Sequence, residues 1–172
     1  NNPELIDATS EFMIAICKTF NAIEDPAIAK LMLQILDDSL DQININISED
    51  DIQNKINSII AKHTDNPAIN KINTQIQTIT SSLVKLASLK PSKQDVLDSL
   101  PAINDAITKA GCPLIIDSND ITSLDKFNAA LKKLVKQMYY QVLYNLGVAI
   151  AQVHGDQIKM YDREISGKVG KC

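Results

Sequence analysis

The chain has 172 residues, with 17 Lys+Arg against 21 Asp+Glu, a formal net charge of −4 and 45% hydrophobic content. That is the composition of one folded domain long enough to bury most of its apolar surface. Disorder is excluded by 25 Ile and 16 Leu against 5 Gly and 6 Pro. A transmembrane segment is excluded because no apolar stretch reaches about 18 residues without polar interruption. Nucleic acid is a poor partner for a negative chain whose basic residues are all Lys except Arg163.

The chain opens Asn1-Asn2-Pro3, with neither an initiator Met nor an apolar leader. Loss of a signal peptide and excision from a longer chain both fit this start. Helix 1 is expected from Pro3 to Ala22, with Leu5, Ala8, Phe12, Ile16 and Phe20 inward. Within it, Ile16-Cys17-Lys18-Thr19-Phe20 resembles the first helix of plant invertase and pectin methylesterase inhibitors, which are secreted four-helix bundles. The second cysteine that family carries nearby is absent here, so nothing is carried over from it. Helix 2 is expected from Pro26 to Gln42, with Ile28, Leu31, Ile35 and Leu36 inward.

Ile43 to Ile47 alternates like a strand but has no partner strand, which predicts an extended linker. It carries the glycosylation sequon Asn46-Ile47-Ser48. Asp37, Asp38, Asp41, Glu49, Asp50 and Asp51 cluster around this link, without the Gly and the ligand spacing of a calcium loop. A solvated patch is expected there, with no metal. Ser48 to Asp51 is a capping-box-like start for helix 3, whose inward residues are Ile52, Ile56, Ile59 and Ile60 and whose end is near His63.

Helix 4 is the clearest segment. From Pro67 to Ser88 its apolar residues Ile69, Ile72, Ile76, Ile79, Leu83 and Leu86 form one stripe. Its other face, from Thr74 to Ser82, is rich in Thr, Ser and Gln and uncharged, and is expected to be surface. Pro26-Ala-Ile-Ala-Lys, Pro67-Ala-Ile-Asn-Lys and Pro101-Ala-Ile-Asn look alike, yet their unequal spacing reads as shared helix-start chemistry and not as a repeat. Ser92 to Asp95 caps helix 5, which Pro101 is expected to kink or split and Gly111-Cys112-Pro113 to stop.

Helix 6 is expected from about Ser123 to His154, closed by Gly155, with a charged tail from Asp156 to Cys172. From Gln137 to Val153 it runs 17 residues without a charge. A helix apolar on nearly all sides is surrounded by other elements. The fold class is therefore all-α: a single-domain antiparallel bundle of about six helices over residues 1–155, with the 123–154 helix at its centre.

That central helix carries polar atoms that need partners once buried. Met138, Tyr139, Tyr140, Gln141, Tyr144 and Asn145 are accordingly the candidate ligand-binding residues, and ordinary partners inside the core are the competing account. Small Gly147 and Ala151 also suit a dimer face. Cys17 and Cys112 are expected to pair, closing a loop of about 95 residues that stabilises by roughly 4 kcal/mol in the chain-entropy model. Cys172 is expected to be an intermolecular bridge or a free thiol. His63 and His154 stand alone, and no HExxH, CxxC, GxSxG or P-loop pattern occurs. No catalytic residue and no cofactor is expected.

Three functional readings remain. The first is a secreted, non-enzymatic bundle that binds an apolar small molecule, a lipid or another interface. The second is a disulfide-linked homodimer that works as a structural or interaction module without a ligand. The third is an intracellular regulatory protein with incidental thiols.

Overall fold

A computed structural model describes residues 2–42 and 48–148. Six α-helices follow in order: α1 (Pro3–Asn21), α2 (Pro26–Gln42), α3 (Glu49–Ala61), α4 (Ile69–Ser88), α5 (Lys93–Lys109) and α6 (Leu124–Asn145), with a 3-10 turn at Ser118–Asp120 before the last. No strand occurs among the described residues. The expected inward residues of α1 and α4 are all buried. Asn46, the 43–47 linker, Ala151, His154, Gly155, Cys172 and the whole tail lie outside the described residues.

The starts follow from side chains that accept otherwise unpaired amides. Asn2 Oδ1 accepts from the Leu5 amide at 3.2 Å, and Asp25 Oδ1 from Ala27 at 2.9 Å. At α5 the capping box is complete: Ser92 Oγ accepts from the Asp95 amide, and the Asp95 carboxylate accepts from the Ser92 amide. These bonds hold the Asp95 carboxyl below its ordinary value. The Asn66-Pro67 pair behaves differently. Asn66 Oδ1 accepts from Ala68, which makes a turn, and α4 begins at Ile69 instead of Pro67.

The helices pack as a ring of four with two flanking members. α1 meets α4 and α6, α4 meets α2, and α2 meets α6; α3 covers α2 and α4, and α5 lies on α1. α1 packs on α4, α5 and α6, whereas α6 packs on α1 and α2, so α1 has the wider set of helical partners. Helix directions follow from the contacts. Glu11 lies 3.9 Å from Lys85, while Lys18 and Ala22 share a wall with Lys71 and Ile72, so α1 and α4 are antiparallel. Leu83 and Leu86, late in α4, meet Leu124 and Phe127, early in α6, so these two are antiparallel as well. Asn128 Nδ2 donates to the Leu40 carbonyl at 2.7 Å, which sets α6 against α2 in the opposite sense.

α5 runs in the same sense as α1, because Cys112 beyond its end sits at Cys17, late in α1. α6 also runs in that sense, so the chain must first travel back. Residues 112–123 do this, extended over 112–117 and then through the 3-10 turn at Ser118–Asp120. At about 3.3 Å per extended residue against 1.5 Å per helical residue, the segment covers the length of α5. Gly111, at φ +88°, closes α5 with a left-handed turn, and the Cys112 amide donates to the Ile107 carbonyl at 2.9 Å. Cys112, Leu114 and Ile116 then point inward while Pro113, Ile115 and Asp117 face out. Asn104 of α5 holds the segment at two points: its Oδ1 accepts from the Ile116 amide at 2.9 Å and its Nδ2 donates to the Ile116 carbonyl at 2.8 Å.

Three expectations are corrected. Pro101 does not split α5, which is continuous through it; the ring lies on an exposed face, so only one intrahelical bond is forfeited. Thr80 and Ser82 of α4 are buried, not surface, with their hydroxyls turned back onto the Ile76 and Thr78 carbonyls. α6 ends at Asn145, well short of His154. Gly147 at φ +74° ends it, and the Val148 amide donates to the Leu143 carbonyl at 3.0 Å. The dimer face imagined around Gly147 is therefore a turn and not a helix.

Replacing Asn104 removes both anchors of the return segment and leaves a partly buried backbone pair to find water. Asn104→Ala is expected to lower the unfolding free energy by about 1–3 kcal/mol, measured by urea denaturation. A loss below about 0.5 kcal/mol would show that Leu114 and Ile116 hold the segment by burial alone.

Candidate functional site

Met138, Tyr139 and Tyr140 are buried, at 0%, 1% and 7% exposure. Met138 Sδ lies 3.9 Å from Cys17 Sγ. The rings of Tyr139 and Tyr140 stand 5.3 Å apart and tilted by 54°. Gln141 is half-buried, Tyr144 is 50% exposed and Asn145 is exposed. The uncharged run from Gln137 therefore leaves the interior after Leu143, two residues before α6 ends, and Tyr144 and Asn145 stand at the surface and not in the core. None of the clefts described below is lined by Met138, Tyr139, Tyr140, Gln141, Tyr144 or Asn145. Burial, followed by the neighbouring Tyr140, pushes the Tyr139 hydroxyl up to about 12, and burial raises Tyr140 as well.

Cys17 and Cys112 are brought together as expected. Both are buried, their Cα atoms are 5.9 Å apart and their sulfurs lie within bonding distance. This contact ties the end of α5 and the start of the return segment to α1.

The acidic cluster is only partly a solvated patch. α2 has no basic residue in its last turn and carries Asp37, Asp38 and Asp41 there, where the helix dipole disfavours negative charge. α6 supplies what α2 lacks: Asn128 caps the Leu40 carbonyl, and the Lys132 ammonium pairs with Asp41 and lies 3.7 Å from Asp37. Burial alone would lower the Lys132 ammonium, but Asp41 and Asp37 together outweigh it and hold the group above its ordinary value. Its contribution is therefore complete at neutral pH and is lost only as pH rises past the lysine range. Among the described residues no group of three His, Cys, Asp or Glu side chains is placed to hold a metal, and no helix is long and apolar enough to cross a membrane.

Three clefts stand out among the described residues. Two are of similar size: one of about 280 Å³ lies between the end of α4 and the start of α6, and one of about 320 Å³ lies where the α1–α2 turn meets the start of α4. The largest, about 720 Å³, lies between α5, the return segment and α6. Its apolar wall is formed by Leu97, Leu100 and Pro101 of α5, Ile115 and Ile116 of the return segment and Ala130 and Leu134 of α6. Asp117, Ser118, Asp120 and Lys133 line it as exposed polar groups, Asn104 as a half-buried one. Gln137 is different: it lines the cleft at 4% exposure, and its amide N and O, unbonded to the described residues, are not among the fully buried unpartnered atoms and so keep contact with solvent. Ile115, at 58% exposed, is the most open large hydrophobic residue among those described.

Sequence reasoning passed over this cleft. Its signals were present but faint: the in-and-out alternation of Cys112 to Ile116, a proline within a helix, and a glutamine in the buried register of α6 beside Leu134 and Met138. Comparison with protein-family models, curated proteins and solved structures yields no match in any of the three.

Tyr139 yields a pH prediction. Its hydroxyl is raised from 10.0 to about 12 in the fold, so the neutral form stabilises the protein fully below pH 10 and that contribution is lost as pH climbs towards 12. Ultraviolet titration of the native protein is expected to show a late phenolate component that returns to about 10 in denaturant. Tyr139→Phe should remove it, whereas Tyr144→Phe should not.

Proposed function

We propose that this chain is a secreted, non-enzymatic binding protein for an apolar small molecule, and that the ligand sits in the cleft between α5, the return segment and α6. One observation carries the reading: a volume of about 720 Å³ with seven apolar residues along its wall and a few polar groups beside them. Binding sites for small molecules have this size and make-up. The ligand thus lies against α6, as the sequence suggests, but on the face of Ala130, Lys133, Leu134 and Gln137 instead of that of the tyrosines.

Secretion is supported by the Cys17–Cys112 pair, since a bridge across such a loop persists in oxidising compartments. Peptide mapping without reduction is expected to recover residues 17 and 112 in one linked peptide. Alkylation of both thiols in freshly isolated protein would overturn the bridge and, with it, the extracellular assignment.

The cleft is tested with a naphthalene sulfonate dye, expected to bind at micromolar level. Ala130→Trp, which fills the cleft from a partly exposed position, should weaken the dye about tenfold, roughly the effect of 1.4 kcal/mol. Ala129→Trp, on the exposed side of the same helix, should leave it unchanged. Dye bound equally by both variants would place the ligand elsewhere.

The dimeric interaction module is favoured by a separate observation, the exposure of both Tyr144 and Leu146 at the end of α6. A non-reducing gel of wild type beside Cys172→Ser decides whether the dimer is covalent, and sedimentation of Tyr144→Ser decides whether it exists.

A further inference from the structure

Gln137 is the least ordinary residue in the largest cleft. A buried side-chain amide has two N–H donors and an acceptor oxygen, and leaving them without partners is costly. Core amides are therefore nearly always hydrogen-bonded to protein or to water. Gln137 is 4% exposed and lines the cleft; no hydrogen bond joins its amide to the described residues, yet its N and O are not among the buried unpartnered atoms, so they keep contact with the solvent of the cleft.

A second unfilled position lies across from it. Pro101 has no N–H, so the Leu97 carbonyl lacks the donor that every other interior residue of a helix receives from four positions ahead. Leu97 and Pro101 both line the same cleft. The α5 wall thus offers an acceptor, and the α6 wall offers donors and an acceptor together.

The charged groups do not choose between anion and cation. Lys133 on one wall faces Asp117 and Asp120 on the other, and all three are exposed and hydrated. Asp117 is in addition engaged, its Oδ1 accepting from the Asn119 amide at 2.9 Å. A charged head group drawn down to Gln137 would lose its hydration without gaining a counter-ion.

We infer that the cleft selects a ligand with an apolar body and an uncharged amide or lactam head, whose C=O accepts from Gln137 Nε2 and whose N–H donates to Gln137 Oε1 or to the Leu97 carbonyl. The inference rests on the cleft being the ligand site proposed above and adds the chemistry of the head group. An amide is the matching partner because it places a donor and an acceptor side by side, as Gln137 does.

The experiment uses one apolar skeleton with four heads: 4-phenylbutyramide, 4-phenylbutyrate, 4-phenylbutylamine and the methyl ester of the acid. Each is titrated by calorimetry into the full chain, into Gln137→Met and into Ala130→Trp. The amide is expected to bind the native chain about tenfold more tightly than the other three, roughly what one or two buried hydrogen bonds supply. In Gln137→Met that preference should vanish while the ester binds at least as well as before. Because Met matches Gln in length and removes an unpartnered amide, the melting temperature should not fall. A drop in melting temperature with Gln137→Met, or an amide preference that survives it, would show that Gln137 is satisfied within the fold and overturn the inference. Equal affinity for all four heads, lost in Ala130→Trp, would also overturn it while leaving the cleft as the ligand site. No binding by any of the four would overturn both.

Discussion

The architecture depends on the return of the chain from the end of α5 to the start of α6. Helices joined by short links alternate in direction, so a sixth helix reached by a short turn would run against α5. Residues 112–123 cancel one reversal by crossing the molecule, extended over 112–117 and then through the 3-10 turn. They are held at one end by the Cys17–Cys112 contact and in the middle by the two hydrogen bonds of Asn104 to Ile116. An extended backbone cannot satisfy its own amides and carbonyls, so a side chain that both donates and accepts is the economical way to pin it against a helix. With the segment in place, α6 runs with α1 and can close the ring between α1 and α2.

Closure of that ring has an electrostatic component. α2 ends among carboxylates that oppose its own dipole, a local defect that the segment cannot repair from within. Asn128 and Lys132, one turn apart on α6, respectively cap its Leu40 carbonyl and offset its charge. The seam is partly open to water, so its Coulombic contribution is modest. What it mainly supplies is register: α6 finds its ammonium and its amide opposite the end of α2 only in one sliding position.

The same return segment creates the cleft. A helix in its place would pack knob against groove along α5 and α6. An extended strand is thinner, turns every second side chain outward, and leaves Ile115 beside an unfilled trough. Pro101 and Gln137 sit on the two walls of that trough, each carrying a hydrogen-bonding position that the fold does not use. Elsewhere in the core the Ser39 and Thr80 hydroxyls bond to carbonyls one turn back, whereas the Thr9, Ser10 and Ser99 hydroxyls have no hydrogen-bond partner.

How much was legible in the residues themselves follows from the range of the interactions involved. Helix existence, type and inward faces depend on spacing and capping within a few positions, so the stripes of α1 and α4 and the cap at Ser92 were readable directly. The pairing of Cys17 with Cys112 was also anticipated, from their placement at helix ends far apart in the chain. Charge-free composition was a poorer guide. The run after Gln137 suggested burial to its end, yet Gly147 turns the chain out, and Tyr144 and Asn145 are left at the surface. The neighbours in the ring, the direction of α6, the rescue of α2 by Lys132 and the cleft were decided only in the tertiary structure. Each joins residues far apart in the chain, as Asn128 joins Leu40 and Ile116 joins Asn104. Local periodicity states which face of a helix seeks cover, but not which element provides it.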